Sequence, residues 1–318
     1  MKQFIIQTND AGQRLDKFLQ KAVKRLPQSL MYKYLRLKRI KVNGKRADIA
    51  TRLVEGDVIE LYINDEFFAG NPARPLFLSA SSALNVLYED ENILLADKPQ
   101  GLLCHDADSA PPDTLINRIL RYLYEKGAYD PGRENSFTPA LANRIDRNTG
   151  GIVMAAKNAE SLRVLNQKIK AHEVDKRYLC VVHGTLKAAS GTLTAYLLKD
   201  SEQNKVQLFD SPVPGAKPIE TAYTVLARRN NLSLLEVRLI TGRTHQIRAQ
   251  FSKIGHPLLG DGKYGINQTD RRQGYKHQAL YAYKLAFCFE GDAGCLQYLT
   301  GQSFAVKNVW FAQELFGM

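Results

Sequence analysis

The sequence is short of several things, and each shortage removes a class of function. It has only four cysteines (Cys104, Cys180, Cys288 and Cys295), widely scattered, with no CxxC pair. That spacing suggests neither a zinc knuckle nor a redox pair, and reads as reduced thiols of a cytoplasmic protein. No apolar run approaches the roughly 18 to 20 residues that span a bilayer. The opening segment, MKQFIIQTND, carries one lysine and then turns polar, unlike a secretory signal. There is no GxGxxG, P-loop or HExxH motif, so nucleotide-cofactor and zinc-protease chemistry have no support. A methyltransferase, which needs a cofactor loop, loses its footing for the same reason. The six histidines show no ligand spacing. No internal repeat or low-complexity tract is present.

What is abundant is positive charge. Lysine and arginine total 44 against 32 acids, a net charge of +12 over 318 residues, and the isoelectric point is near 9.4. Such a chain seeks a polyanion, either nucleic acid or an anionic membrane surface. The length and the 44% hydrophobic content support more than one core. A small domain plus a larger one is expected.

The charge is concentrated near the N-terminus. Between Arg14 and Arg52 the only acids are Asp16 and Asp48. Leu15, Phe18, Leu19, Val23 and Leu26 recur at helical spacing, and Pro27 closes that segment. Ser29 is placed to cap a second helix, with Met31, Tyr34, Leu35 and Ile40 facing inward. Lys33, Arg36, Lys38, Arg39 and Lys41 crowd this helix and its exit. Val42-Asn43-Gly44-Lys45 reads as a tight turn, and residues 58–63 as a closing strand. A solvated basic helix face is the plain alternative. The density of cations around a small core favours a face that binds nucleic-acid backbone, with Arg36, Lys38 and Arg39 as its centre.

Residues 67–85 lack periodicity and read as a linker between a domain at 1–66 and another at 86–318. In the second domain, 86–88 and 93–96 form a hairpin-like pair. Gly150 to Ala156 reads as a buried strand, and Leu162, Leu165 and Ile169 mark a helix. Residues 178–182 and 232–240 are strand-like. Strands and helices mix without regular alternation. The pattern predicts an α+β fold with a largely antiparallel sheet flanked by helices.

Three segments carry candidate chemistry. In Leu141 to Gly151, Asp146 sits between Arg144 and Arg147, before a glycine-closed turn and an apolar strand. Neighbouring cations favour an ionised carboxylate, which can act as nucleophile or base. A turn aspartate tied to its own backbone is the simpler reading of composition alone. In Thr241 to Arg248, Thr244 is placed to cap a helix whose Ile247, Phe251 and Ile254 share a face. Arg243 and Arg248 stand at the start of that helix, where the dipole disfavours cations unless an anion lies between them. In Asp175 to Leu179, Tyr178 opens a strand. Such a tyrosine is usually core, but beside an RNA site it can stack on an extruded base.

Taken together these segments resemble the RluA family of pseudouridine synthases, over nearly the whole chain. Residues 144–151 look like its HRLD-x-x-T-S-G signature, and Lys176-Arg177-Tyr178-Leu179 like its K-x-Y-L strand. Gly242 to Arg248 looks like GRTHQ[LI]R, Lys98-Pro99-Gln100-Gly101 like KP-x-G, and Gly260 to Gly265 like G-D-x-x-Y-G. The basic N-terminal block resembles the RNA-binding domain named after ribosomal small-subunit protein four. Asn143 stands where the family has His, Ile145 where it has Leu, and Gly150 where it has Ser. The resemblance implies isomerisation of uridine to pseudouridine in RNA, most commonly large-subunit ribosomal RNA or an assembly intermediate of it. It implies Asp146, Tyr178 and Arg248 as catalytic residues, with Arg243 the second candidate for pairing with Asp146. Arg144, Arg147, Arg243, His245 and Lys98 would hold substrate, with Arg36, Lys38 and Arg39 on the RNA. A flipped-out nucleotide would meet Asp146 at its ribose or its base. Tyr178 would stack on the base and assist proton removal. No metal or organic cofactor is implied, and a cytoplasmic monomer is expected. The rival is a non-catalytic RNA-binding ribosome-assembly protein, which would need the basic block but not Asp146, Tyr178 and Arg248 together.

Overall fold

The alternating pattern of the basic block resolves into a four-stranded sheet with two helices. The elements are β1 (Lys2–Ile5), α1 (Leu15–Ala22), α2 (Gln28–Arg36), β2 (Ile40–Val42), β3 (Lys45–Arg46) and β4 (Val58–Leu61), with sheet order β1-β4-β2-β3. The computed structural model describes residues 1–68, 75–105, 112–200, 205–265 and 267–318. Asn43 and Gly44 both take positive φ, at 51° and 71°, and so close the β2–β3 turn that the sequence announces. Leu15, Phe18, Leu19, Met31, Leu35, Ile40 and Ile59 are fully or nearly fully buried in one cluster. Ser29 does not cap α2. The helix starts at Gln28 behind Pro27, whose fixed φ presets the first turn, so Ser29 lies inside it.

Arg36, Lys38 and Arg39 are exposed at the end of α2. Lys38 holds φ 57°, which breaks the helix and aims successive cations in different directions. The guanidinium of Arg39 lies 5.7 Å from the Tyr34 ring centre.

Within the stretch read as a linker, residues 69–74 lie outside the described residues. A 3-10 helix at Leu76–Ser79 packs on the later helix α3 (Leu115–Glu125), and Phe77 is buried there.

The second sheet has eleven strands among the described residues. They are β5 (Val86–Glu89), β6 (Ile93–Lys98), β7 (Ala140–Leu141), β8 (Gly150–Ala156), β9 (Val174–His183), β10 (Ser190–Asp200), β11 (Lys205–Phe209), β12 (Lys217–Arg229), β13 (Leu232–Leu239), β14 (Leu280–Phe287) and β15 (Ser303–Ala305). The order is β11-β10-β12-β13-β9-β14-β8-β6-β5, with β7 on β8 and β15 on β14. All pairings are antiparallel except β14 with β8. Helices α4 (Ala159–Lys170), α5 (Gln246–Lys253), α6 (Asn267–Arg272) and α7 (Trp310–Phe316) complete the fold. Every residue of β8 is buried, as its unbroken apolar run requires. The α+β architecture with a mixed, mostly antiparallel sheet is therefore as the sequence predicts. Among the described residues no helix is long and apolar enough to cross a membrane.

The two sheets are joined by polar contacts as well as by the chain. Asp10 is fully buried and accepts from Ser136 Oγ at 2.5 Å and Asn135 Nδ2 at 2.7 Å. Asn9 Nδ2 donates to Glu134 Oε1 at 2.9 Å, and the Ala159 amide at the start of α4 donates to Asn9 Oδ1 at 3.1 Å.

Candidate active site

Asp146 lies on the loop between β7 and β8, and that loop is fastened at each end. Asn143 Oδ1 accepts the Met154 amide at 2.8 Å, tying the loop's entry to β8. At the exit Gly151 has φ 113°, and a side chain there would collide with the Ala282 carbonyl at 2.2 Å. Gly150 carries the ring of Tyr281 against its Cα. A Cβ would lie 2.4 Å from that ring, so the serine of the related signature has no room beside Tyr281. Tyr281 is held in turn by Asp97 Oδ1 at 2.6 Å. Ile145 is buried in the core beneath the loop.

Lys98 does not line the cavity at Asp146. Its side chain is fully buried, and its ammonium donates to the carbonyls of Leu102, Pro99 and Arg147 at 2.7, 2.9 and 3.0 Å. Burial pulls its pKa down to about 8, against the pull of Cys104, Asp146 and Asp97. It staples the 98–102 turn to the Asp146 loop, and the burial of a fully satisfied cation explains why it is spent there. Gln100 adds a bond to the Asn148 carbonyl at 3.2 Å. Arg147 also turns away. Its Nε donates to the Gly101 carbonyl at 3.0 Å, and it does not line the cavity at Asp146.

The opposite wall is the start of α5. Thr244 does not cap this helix. His245 is the cap residue, in the left-handed conformation with φ 54° and ψ 17°. Ile254 falls at the helix end and is exposed rather than on the inner face. The turn before His245 is organised by buried Gln246. Its Oε1 accepts the Arg243 amide and the Thr241 hydroxyl, both at 3.0 Å, while its Nε2 donates to Thr221 Oγ1 and the Glu220 carbonyl.

The anion expected between two arginines is held by only one of them. Arg248, 7% exposed, donates through Nη1 to Asp146 Oδ2 at 3.0 Å. Its Nε and Nη2 grip Asp261 at 2.7 and 2.9 Å, a bidentate pair with a fully buried carboxylate. Burial pushes the Asp261 carboxyl up, but the Arg248 hydrogen bonds and charge, with the Lys263 and Tyr264 amides, outweigh it and hold the group below its ordinary range. The guanidinium of Arg248 also lies 5.2 Å from the Tyr264 ring centre. Arg243 and Arg144 are exposed, and no hydrogen bond or ion pair of either guanidinium occurs among the described residues.

Tyr178 does not open its strand but lies in the middle of β9, flanked by β13 and β14. It is 7% exposed, and burial, then the Asp146 charge, push its hydroxyl up from the ordinary tyrosine range. A phenol held protonated suits stacking on a base better than proton abstraction. Two residues earlier on the same strand, Lys176 reaches the same cavity, and burial lowers its pKa.

Asp146, Tyr178, Arg248, Arg144, Arg243 and His245 thus line one cavity of about 310 Å³. Asp146 Oδ2 is engaged by Arg248, and Oδ1 has no hydrogen-bond partner among the described residues. One carboxylate oxygen is therefore oriented and the other is free at the cavity. Arg36, Lys38 and Arg39 lie on the other sheet's surface and do not reach it. Sequence reading overlooked Asp261, Tyr264, Gln246 and Lys176 as site residues. Each sits in one of the short motifs quoted above, but the pairing of Asp261 with Arg248 is a tertiary contact with no local signature.

Comparison with known proteins places these features in context. Residues 92–253 match the family model of RNA pseudouridylate synthase, and residues 13–59 match the S4 domain. An uncharacterized RNA pseudouridine synthase of Mycoplasma genitalium is 36% identical, over 89% of this chain and 88% of its own. Ribosomal large subunit pseudouridine synthase C of Vibrio cholerae is 33% identical, over 84% of this chain and 82% of its own. The solved structure of human RNA pseudouridylate synthase domain containing 1 is similar in fold. Its TM-score is 0.57 and its identity 20%, with 74% of this chain and 87% of that one covered.

Proposed function

We propose a specific reaction from one established premise: this chain belongs to the RNA pseudouridylate synthase family, carries an S4 domain at its N-terminus, and is an isomerase that acts on RNA. The reaction is conversion of particular uridines of large-subunit ribosomal RNA to pseudouridine, with Asp146 as the reacting carboxylate. The observation that carries this is the asymmetry of Asp146, one oxygen tied to Arg248 and the other free at a cavity walled by Tyr178.

The chemistry follows from that geometry. A uridine stacked in a helix cannot present its glycosidic bond to a carboxylate, so the nucleotide is extruded into the cavity. Tyr178 receives the face of the uracil. Arg144 and Arg243, exposed and unpaired at the rim, meet phosphate or fill the vacated stack. Asp146 Oδ1 acts on the extruded nucleotide, at its ribose or its base. The bond from the ribose anomeric carbon to N1 breaks, the base turns, and a bond to carbon five forms. In the balance one proton leaves carbon five and one is gained at N1, so no electron or phosphate is consumed. Arg36, Lys38 and Arg39 supply sequence-independent affinity through phosphate contacts.

The large-subunit target is supported by the names of the relatives from Vibrio cholerae and Salmonella typhimurium, both ribosomal large subunit pseudouridine synthase C. The working form is proposed to be a cytoplasmic monomer acting on that RNA or on an assembly intermediate. The test is a pseudouridine map of total RNA from cells with and without the gene. Loss of one or a few large-subunit sites is expected. A large-subunit map that is unchanged, with losses confined to transfer RNA, would move the target.

A further inference from the structure

His245 is an unusual residue to find capping a helix. Its left-handed backbone is strained for a residue with a Cβ, by roughly 1 to 3 kcal/mol, and Asn, Asp or Gly would cap at lower cost. The strained turn brings the imidazole to the cavity wall, between Tyr264 and Asp146. Nδ1 lies 2.9 Å from Tyr264 Oη, and Nε2 lies 3.8 Å from Asp146 Oδ2. The two rings meet edge-on, with centroids 5.6 Å apart.

The hydrogen-bond inventory of Tyr264 favours one position for the imidazole proton. Its hydroxyl oxygen accepts the Val206 amide at 3.0 Å. The hydroxyl has a single proton, and His245 Nδ1 is the acceptor beside it among the described residues. With that proton donated to Nδ1, the neutral ring carries its own proton on Nε2, facing the carboxylate. The opposite arrangement takes the phenol proton away from Nδ1 and turns a nitrogen lone pair toward the anionic Asp146 Oδ2, which disfavours it. Burial lowers the His245 pKa, and Arg248 and Lys263 lower it further against the raising effect of Asp146 and Asp261, which favours the neutral ring.

We infer that Tyr264 and His245 form a positioning pair, in which Tyr264 fixes the imidazole tautomer so that Nε2–H faces Asp146 Oδ2. Arg248 bonds that oxygen at 3.0 Å, and the Nε2–H dipole, beyond hydrogen-bond reach at 3.8 Å, faces it and helps leave Oδ1 for the substrate. The pair rests on the reading of Asp146 as the reacting carboxylate. It accounts for a strained histidine where a plain cap would serve the fold better. It also gives Tyr264 a role beyond the turn, since its hydroxyl joins β11 to the start of α5.

The test is ¹⁵N NMR of histidine-labelled full-length enzyme, with single-turnover rates of variants on a folded RNA substrate. The wild-type spectrum is expected to show neutral His245 protonated on Nε2 at pH 7. Tyr264→Phe is expected to lose that preference and to slow the reaction about tenfold, the size of one hydrogen bond, with RNA affinity unchanged. His245→Asn keeps a residue that tolerates the left-handed backbone, so it should match or exceed wild-type stability while turning over more slowly. Protonation on Nδ1 in the wild type, or a full rate in His245→Asn, overturns the inference. Should Tyr264→Phe fail to fold, the wild-type spectrum and His245→Asn still decide. If Asp146→Asn turns over normally, the reading of Asp146 fails. If Asp146→Asn is inactive and His245 is protonated on Nδ1, only the positioning pair fails.

Discussion

Replacing Arg248 with Gln should damage the fold through Asp261 more than through Asp146. Asp261 is fully buried and receives two of the three charge-assisted bonds that Arg248 makes, whereas the Asp146 side chain is 26% exposed. Removing one partner of a buried pair costs about 3 to 5 kcal/mol, because the other charge stays buried. For a domain of this size each kcal/mol moves Tm by about 2 to 4 °C, so the loss is on the order of 10 °C. The pH dependence has a defined sign. In the wild type the Asp261 pKa is depressed, so its contribution is present above the unfolded value near 3.9 and is lost as pH falls through the lower folded value. In Arg248→Gln burial remains and the guanidinium is gone, so the carboxyl rises above its unfolded value. The folded variant then binds the extra proton, and its stability falls as pH rises. The Tm deficit should be small near pH 4 and grow toward pH 7, and adding Asp261→Asn should recover much of it. The assay is thermal unfolding across that range, with Arg243→Gln as a control that changes stability by less than about 0.5 kcal/mol. A deficit independent of pH, or no recovery in the double variant, would refute the reasoning.

Three further outcomes follow from the same geometry. Lys98→Met orphans the Pro99 and Leu102 carbonyls, while that of Arg147 keeps the Gly101 amide, and should destabilise the protein by about 1 to 3 kcal/mol while leaving the salt dependence of RNA binding unchanged; a flatter salt slope would return Lys98 to the RNA. Replacing Arg36, Lys38 and Arg39 with Ala should reduce the slope of log affinity against log salt by about two to three, one for each lost phosphate contact, and an unaltered slope would place the RNA elsewhere. Gly150→Ser should cost about 1 to 3 kcal/mol because the Tyr281 ring must move; a Gly150→Ser, Tyr281→Leu double variant should be closer to wild type in thermal unfolding, and the opposite order would show that the ring is not the obstacle.

Much of this was readable before the fold, and the misses have physical causes. β8 was legible to the residue because an unbroken apolar run ending in alanines has one plausible use, a buried strand. The Asn43-Gly44 turn was legible because few residues accept positive φ in succession. Helix caps were less so. Ser29 and Thr244 are good caps by chemistry, but Pro27 presets α2 two residues earlier, and the site claims His245 at the start of α5. Lys98 was assigned to substrate by resemblance alone, and only the fold shows three carbonyls converging on it. Asp146 and Arg248 are 102 residues apart. Their meeting was inferred from resemblance and from an unfavourable cation at a helix start, since no periodicity joins them. Asp261 escaped notice because a buried carboxylate in a glycine-rich turn looks like any other turn aspartate until its bidentate partner is seen.

In the proposed mechanism the free oxygen of Asp146 does the chemistry while other groups hold the RNA. Asp146→Asn preserves shape and leaves the Arg248–Asp261 pair in place, so the protein should fold and bind RNA within a few fold of wild type. The decisive measurement is the pseudouridine formed in a single turnover by purified Asp146→Asn on an RNA that the wild type modifies. None is expected. Pseudouridine formed at the wild-type rate would contradict it.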